Sequence, residues 1–90
     1  MSDRFDELRT LIRANDEGIV ALVNVRLALV GELWEIKRAR ALGKVDAGRE
    51  HALRTALAGA NAGPLSDAGL DRLVTVLLEL TKDELNGGWE

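Results

Sequence analysis

The sequence predicts an all-α fold, with three helices per chain, one long and two shorter, in an intertwined helical homodimer. Three observations carry that prediction. The composition is 47% apolar and led by Leu and Ala, with one Phe, no Tyr and one Pro, which favours helices over strands. Apolar residues recur at intervals of three and four, and no stretch alternates with the period of two of a half-buried strand. The first helical pattern is also too long to be covered by the remainder of a 90-residue chain.

The elements follow in order within one domain spanning residues 1–90. From about Asp3 to Leu42, the residues Phe5, Leu8, Ile12, Ile19, Leu22, Leu29, Leu33 and Ile36 keep to one helical stripe for about five heptads. Gly43 stands where a left-handed C-terminal cap belongs, and Lys44-Val45 make a short connection. The second helix runs from about Asp46, its N-cap, through Ala52, Leu53, Ala56 and Leu57 to about Ala60. The run Gly59-Ala60-Asn61-Ala62-Gly63-Pro64 breaks it. Ser66 or Asp67 caps the third helix, about residues 66–86, which carries Leu70, Leu73, Val74, Leu77, Leu78, Thr81 and Leu85 on its inner side. Gly87-Gly88 ends it, and Trp89-Glu90 is a tail or a docking anchor.

A first helix of about 40 residues is roughly 60 Å long, about twice the span of a compact domain of this size. Two shorter helices of the same chain cannot cover it. The economical arrangement runs two long helices against one another and folds each protomer's second and third helices over the pair, which makes the dimer obligatory.

Composition excludes several chemistries. There is no Cys and one His, so disulfides, thiolate nucleophiles and zinc sites are not expected. The net charge of −3 argues against a general nucleic-acid binder. The longest apolar runs, such as Ile19 to Val23, fall far short of a membrane span, and the start Met1-Ser2-Asp3 does not read as a signal peptide, so a cytoplasmic protein is expected. Nine of the twelve bases are Arg, the residue suited to gripping planar carboxylates and phosphates bidentately. An acidic protein so rich in Arg is a candidate for a local anion site.

Asn15 and Arg26 stand in gaps of the long apolar stripe. Asn15 reads mainly as a register device. A guanidinium in a shared core needs either a carboxylate opposite it or an anionic ligand. Lys37, eleven residues after Arg26, is turned by only about 20° and lies about 16 Å further along the axis, so the two long arms can bracket one small molecule. Arg9 is about 25 Å before Arg26 and roughly 100° round the helix, within reach of the same ligand only from an antiparallel partner chain. Arg49 and Glu50, one turn into the second helix beyond Asp46, bring a further base and free backbone N–H groups over the cavity. His51 reads as a surface residue, and Trp34 as packing on the outer helix face or under the third helix.

In order and spacing, Leu8-Arg9, Asn15-Asp16-Glu17, Leu22-Val23-Asn24-Val25-Arg26, Ile36-Lys37 and Val45-Asp46-Ala47-Gly48-Arg49-Glu50 resemble the all-helical AroQ-type chorismate mutases. The resemblance runs from about Phe5 to Leu85 and rests on the whole register Arg-x16-Arg-x10-Lys-x11-Arg-Glu. It implies an intertwined dimer with two active sites and the rearrangement of chorismate to prephenate in phenylalanine and tyrosine biosynthesis. That reaction is a unimolecular Claisen step without metal, nucleophile or cofactor. By the same resemblance Arg9 looks like the arginine donated by the neighbouring protomer, and Arg26 and Arg49 like the other carboxylate-binding arginines. Lys37 looks like the lysine at a substrate carboxylate and the breaking ether bond, Asp46 and Glu50 like the groups at the ring hydroxyl, and Thr81 like a serine near the ring carboxylate.

The match departs from the family at one point. With the third helices aligned without a gap, the Gln or Glu that the family sets beside the ether oxygen falls at Leu85, with Glu84 pointing about 100° away. Either a helix shift lets Glu84 substitute, or the site lacks one hydrogen bond and turns over slowly. The second case resembles mutases that are activated by complex formation with DAHP synthase, the first shikimate-pathway enzyme. Two other functions stay open. One is the same fold acting on 4-amino-4-deoxychorismate, or eliminating pyruvate from isochorismate. The other is a non-catalytic helical interaction module, in which Arg26 pairs with an internal carboxylate such as Asp16 or Glu17 of the partner chain and no cavity is left.

Overall fold

A computed structural model of the chain describes residues 3–42 and 47–86. The described residues form three helices and no strand: α1, Arg4–Ala39; α2, Ala47–Ala60; and α3, Asp67–Leu85. The expected cap Asp46 lies outside the described residues, as do Gly43 and the segment from Gly87 to Glu90.

Good helix formers fill α1, and its ends suit the helix dipole, with Asp6 and Glu7 in the first turn and Lys37 and Arg38 in the last. The exposed pairs Arg4–Glu7 (3.9 Å) and Arg13–Glu17 (3.5 Å) add a few tenths of a kcal/mol each at most, at about 0.2–0.5 kcal/mol per helical pair. Its C-terminus differs from the expected cap at Gly43. The left-handed residue is Ala41, at φ 58°, and the helix stops at Ala39. The Leu42 amide donates to the Lys37 carbonyl (2.7 Å) and the Ala41 amide to the Arg38 carbonyl (3.1 Å), which is the bonding pattern of a Schellman motif. Closing those carbonyls outweighs the strain of a Cβ in the left-handed region, so an alanine serves where a glycine is usual.

Ser66 caps α3: its Oγ accepts from the Gly69 amide at 3.0 Å, and Asp67 falls in the first turn. Before it, Asn61 ties down the loop by donating to the Leu65 carbonyl (2.9 Å) and accepting from the Gly63 amide (3.0 Å). Gly63 has φ 84°, a conformation that a side chain would strain.

Helix α3 is the centre of the chain. It packs on both α1 and α2, which do not pack on each other among the described residues. Among the described residues the buried ones are Leu70, Val74 and Thr81 of α3 and Trp34 of α1. From Val23 onward α1 has two faces. Val23, Arg26, Leu27, Val30, Trp34 and Lys37 are buried or half-buried, whereas Leu22, Val25, Leu29, Leu33 and Ile36 are exposed. Every member of the apolar stripe read from the sequence is therefore exposed, and the arc that meets α3 is a second one, which that stripe does not include. Arg26 belongs to the arc facing α3, about 60° round from the middle of the exposed face. Trp34 lies on that same arc.

The N-terminal half of α1 has no cover within the chain, and every residue from 4 to 22 is exposed. The chain measures 61 × 25 × 16 Å, with a radius of gyration of 16.8 Å, against about 12 Å for a compact domain of this length.

Candidate active site

The candidate site begins where α1 crosses α3. Arg26 is half-buried, and its Nη1 donates to the Thr81 hydroxyl. Thr81 is 5% exposed and donates its own proton to the Leu77 carbonyl, 2.7 Å away. Lys37 is half-buried on the same arc of α1. No ion pair among the described residues engages Arg26 or Lys37, so no described carboxylate neutralises either cation. Uncompensated charge at a half-buried position is costly unless an anion completes it.

Helix α2 adds Glu50, half-buried, whose Oε1 lies 3.9 Å from Lys82 Nζ, the residue after Thr81. Consecutive residues of α3 thus reach α1 and α2: Thr81 touches Arg26 and Lys82 faces Glu50. Arg49 is exposed on the first turns of α2.

Other expected residues are not brought to this crossing within one chain. Arg9 lies on the uncovered half of α1, with its guanidinium 4.6 Å above the Phe5 ring, in a shallow concavity shared with Ile12, Asp16 and Val20. Asp46 is outside the described residues. Glu84 is exposed while Leu85 is half-buried, and α3 is helical through both, so no shift turns Glu84 inward. His51 is exposed at the rim of an open cleft of about 350 Å³ between α2 and α3. No cluster of His, Asp or Glu among the described residues could hold a metal ion, and no helix among them is long and apolar enough to cross a membrane.

Two residues near the crossing were not foreseen. Lys82 carried no signal beyond its place next to Thr81. Arg54 clips α2 to α3, with Nη1 2.5 Å from Asp71 Oδ1 and Nη2 donating to Thr75 Oγ1 at 3.1 Å. Its partners lie 17 and 21 residues on, a separation that helical periodicity cannot connect.

The described residues thus form three helices, with the Arg26 guanidinium of the long first helix set on Thr81 of the third. The family model for type II chorismate mutases matches residues 8–84, and the chain belongs to that family of isomerase enzymes. No curated protein and no solved structure matches the chain.

Proposed function

We propose that this protein rearranges chorismate to prephenate in phenylalanine and tyrosine biosynthesis, in two sites built across an intertwined homodimer. The observation that carries this reading is the pair Arg26 and Lys37, half-buried on one arc of α1 with no carboxylate partner among the described residues. An interaction module would pair Arg26 with a carboxylate such as Asp16 or Glu17 of the partner chain, whereas a site for a dianion leaves it open.

The reaction has one reactant and transfers no proton, so the protein needs to hold a flexible dicarboxylate in its compact reactive shape and set positive charge where electron density accumulates. In this reading Arg26, Arg49 and the partner's Arg9 grip the two carboxylates. Lys37 stabilises the ether oxygen as its bond to carbon breaks. Asp46 and Glu50 engage the ring hydroxyl, with Thr81 beside the ring carboxylate, while the exposed Glu84 does not reach the ether oxygen. Arginines on rigid helices suit the first task because their planar forks fix orientation as well as charge.

The dimer is supported by surface. The chain exposes 7043 Å², about 1,900 Å² more than a compact monomer of 9.8 kDa. Removing that excess from both chains gives an interface in the range of obligate homodimers. The uncovered half of α1 and the exposed Leu73 and Val76 of α3 are apolar surfaces left for a second copy to cover.

The test is to follow the ultraviolet loss of chorismate on mixing with purified protein and to identify prephenate by its acid conversion to phenylpyruvate. Arg26→Ala and Lys37→Ala should each lower kcat/KM by at least about a hundredfold in a folded dimer. Stable chorismate, or pyruvate as the product, would reject the assignment. With Leu85 at the ether-oxygen position, a slow enzyme accelerated by DAHP synthase is the companion reading. It fails if adding DAHP synthase from the same source leaves turnover unchanged.

A further inference from the structure

Thr81 is the buried polar side chain of the described core, at 5% exposure. A hydroxyl has one proton and two lone pairs. The proton goes to the Leu77 carbonyl at 2.7 Å, so the oxygen presents a lone pair to α1, and Arg26 Nη1 donates to it. A carboxylate only accepts hydrogen bonds, so Thr81 in this arrangement has nothing to donate to an anionic substrate. Its bonding capacity is directed at Arg26.

We propose that Thr81 is a positioning residue that fixes the Arg26 guanidinium before substrate arrives, and that it does not itself bind the substrate carboxylate. The proposal rests on the reading of Arg26 as a carboxylate-binding group and deepens it. An arginine side chain loses much rotamer freedom when it is fixed, and a group already fixed in the free protein loses less on binding. A carboxylate at the Thr81 position would fix Arg26 equally well and cancel its charge. A neutral hydroxyl oxygen orients the guanidinium and leaves the full charge, with the remaining N–H donors, for an anion.

The test compares Thr81→Val, which keeps the side-chain shape and removes the acceptor, with Thr81→Ser, which keeps the hydroxyl. The Leu77 carbonyl keeps its helical bond from the residue 81 amide in both. Two quantities are read on the full chain: kcat and KM for chorismate, and the nitrogen-15 signals of the Arg26 guanidinium without substrate, assigned by their loss in Arg26→Ala. Thr81→Val should lower kcat/KM about tenfold, and Thr81→Ser should stay within about threefold of wild type. In the free protein the Arg26 signals should be resolved by restricted rotation in wild type and Thr81→Ser, and should merge in Thr81→Val. Unchanged Arg26 signals in Thr81→Val overturn the proposal whatever the activity does. Should Thr81→Val fail to fold, Thr81→Ala is read by the same signals. A wild-type protein inert toward chorismate would sink the functional assignment, while the guanidinium signals would still decide whether Thr81 holds Arg26.

Discussion

Arg26 and Arg54 are both half-buried arginines that reach α3, and their partners separate their roles. Arg54 meets the Asp71 carboxylate and the Thr75 hydroxyl, so its charge is neutralised and its geometry joins two helices. Among the described residues Arg26 meets only a hydroxyl. The two alanine variants should therefore behave in opposite ways. Arg54→Ala should lower stability by about 1 kcal/mol, seen as a lower urea midpoint, with kcat/KM nearly unchanged. Arg26→Ala should leave the midpoint close to wild type and remove activity. Equal losses of activity in both variants would erase the distinction. The candidate cations were legible in the sequence because their spacing along one helix is a local property. The neutralised or unneutralised state of each was not, since Asp71 and Thr81 approach only through packing between helices.

At the scale of the element, α1 carries two pieces of information that its periodicity merges. The first is its end. Ala41 occupies the left-handed position of the closing motif, where a Cβ is strained. Ala41→Gly should raise stability by roughly 1 kcal/mol, measured as a higher melting temperature, and no change would mean that the motif does not persist in solution. Sequence placed the cap at Gly43 because glycine is the usual left-handed residue, whereas the backbone bonds to Lys37 and Arg38 close two residues earlier. The second is its division into two apolar faces. The intervals of three and four read from the sequence pick out the exposed face, and only the position of α3 reveals the second face, which the chain covers itself. Leu29 is 60% exposed on the uncovered face. Leu29→Glu should shift the protein from dimer to monomer or unfolded chain in sedimentation velocity. A stable dimer carrying that charge would move the interface elsewhere.

For the whole molecule, an elongated chain with few buried residues is poorly stabilised alone, since hydrophobic burial is the main favourable term in folding. The proposed dimer makes two predictions at this scale. Specific activity should fall on dilution, together with the dimer fraction, because the Arg9 of each site comes from the other chain. Arg9→Ala and Arg26→Ala homodimers should each be inactive, and unfolding and refolding them together at equal concentration should restore about a quarter of wild-type activity, since only mixed dimers hold one intact site. Mixtures that stay inactive would place Arg9 outside the site that contains Arg26.

The all-α class, the three-helix order and the family were set by sequence alone, because helical periodicity, caps and an ordered register of charged residues are properties of the chain taken residue by residue. The tertiary structure decided which face of α1 meets α3, that Arg26 rests on a neutral hydroxyl, that Arg54 is a clip, and that Glu84 points outward while Leu85 turns inward. Each of these depends on which helix lies opposite. That choice is made by burying surface between segments far apart in the chain, and no local spacing records it.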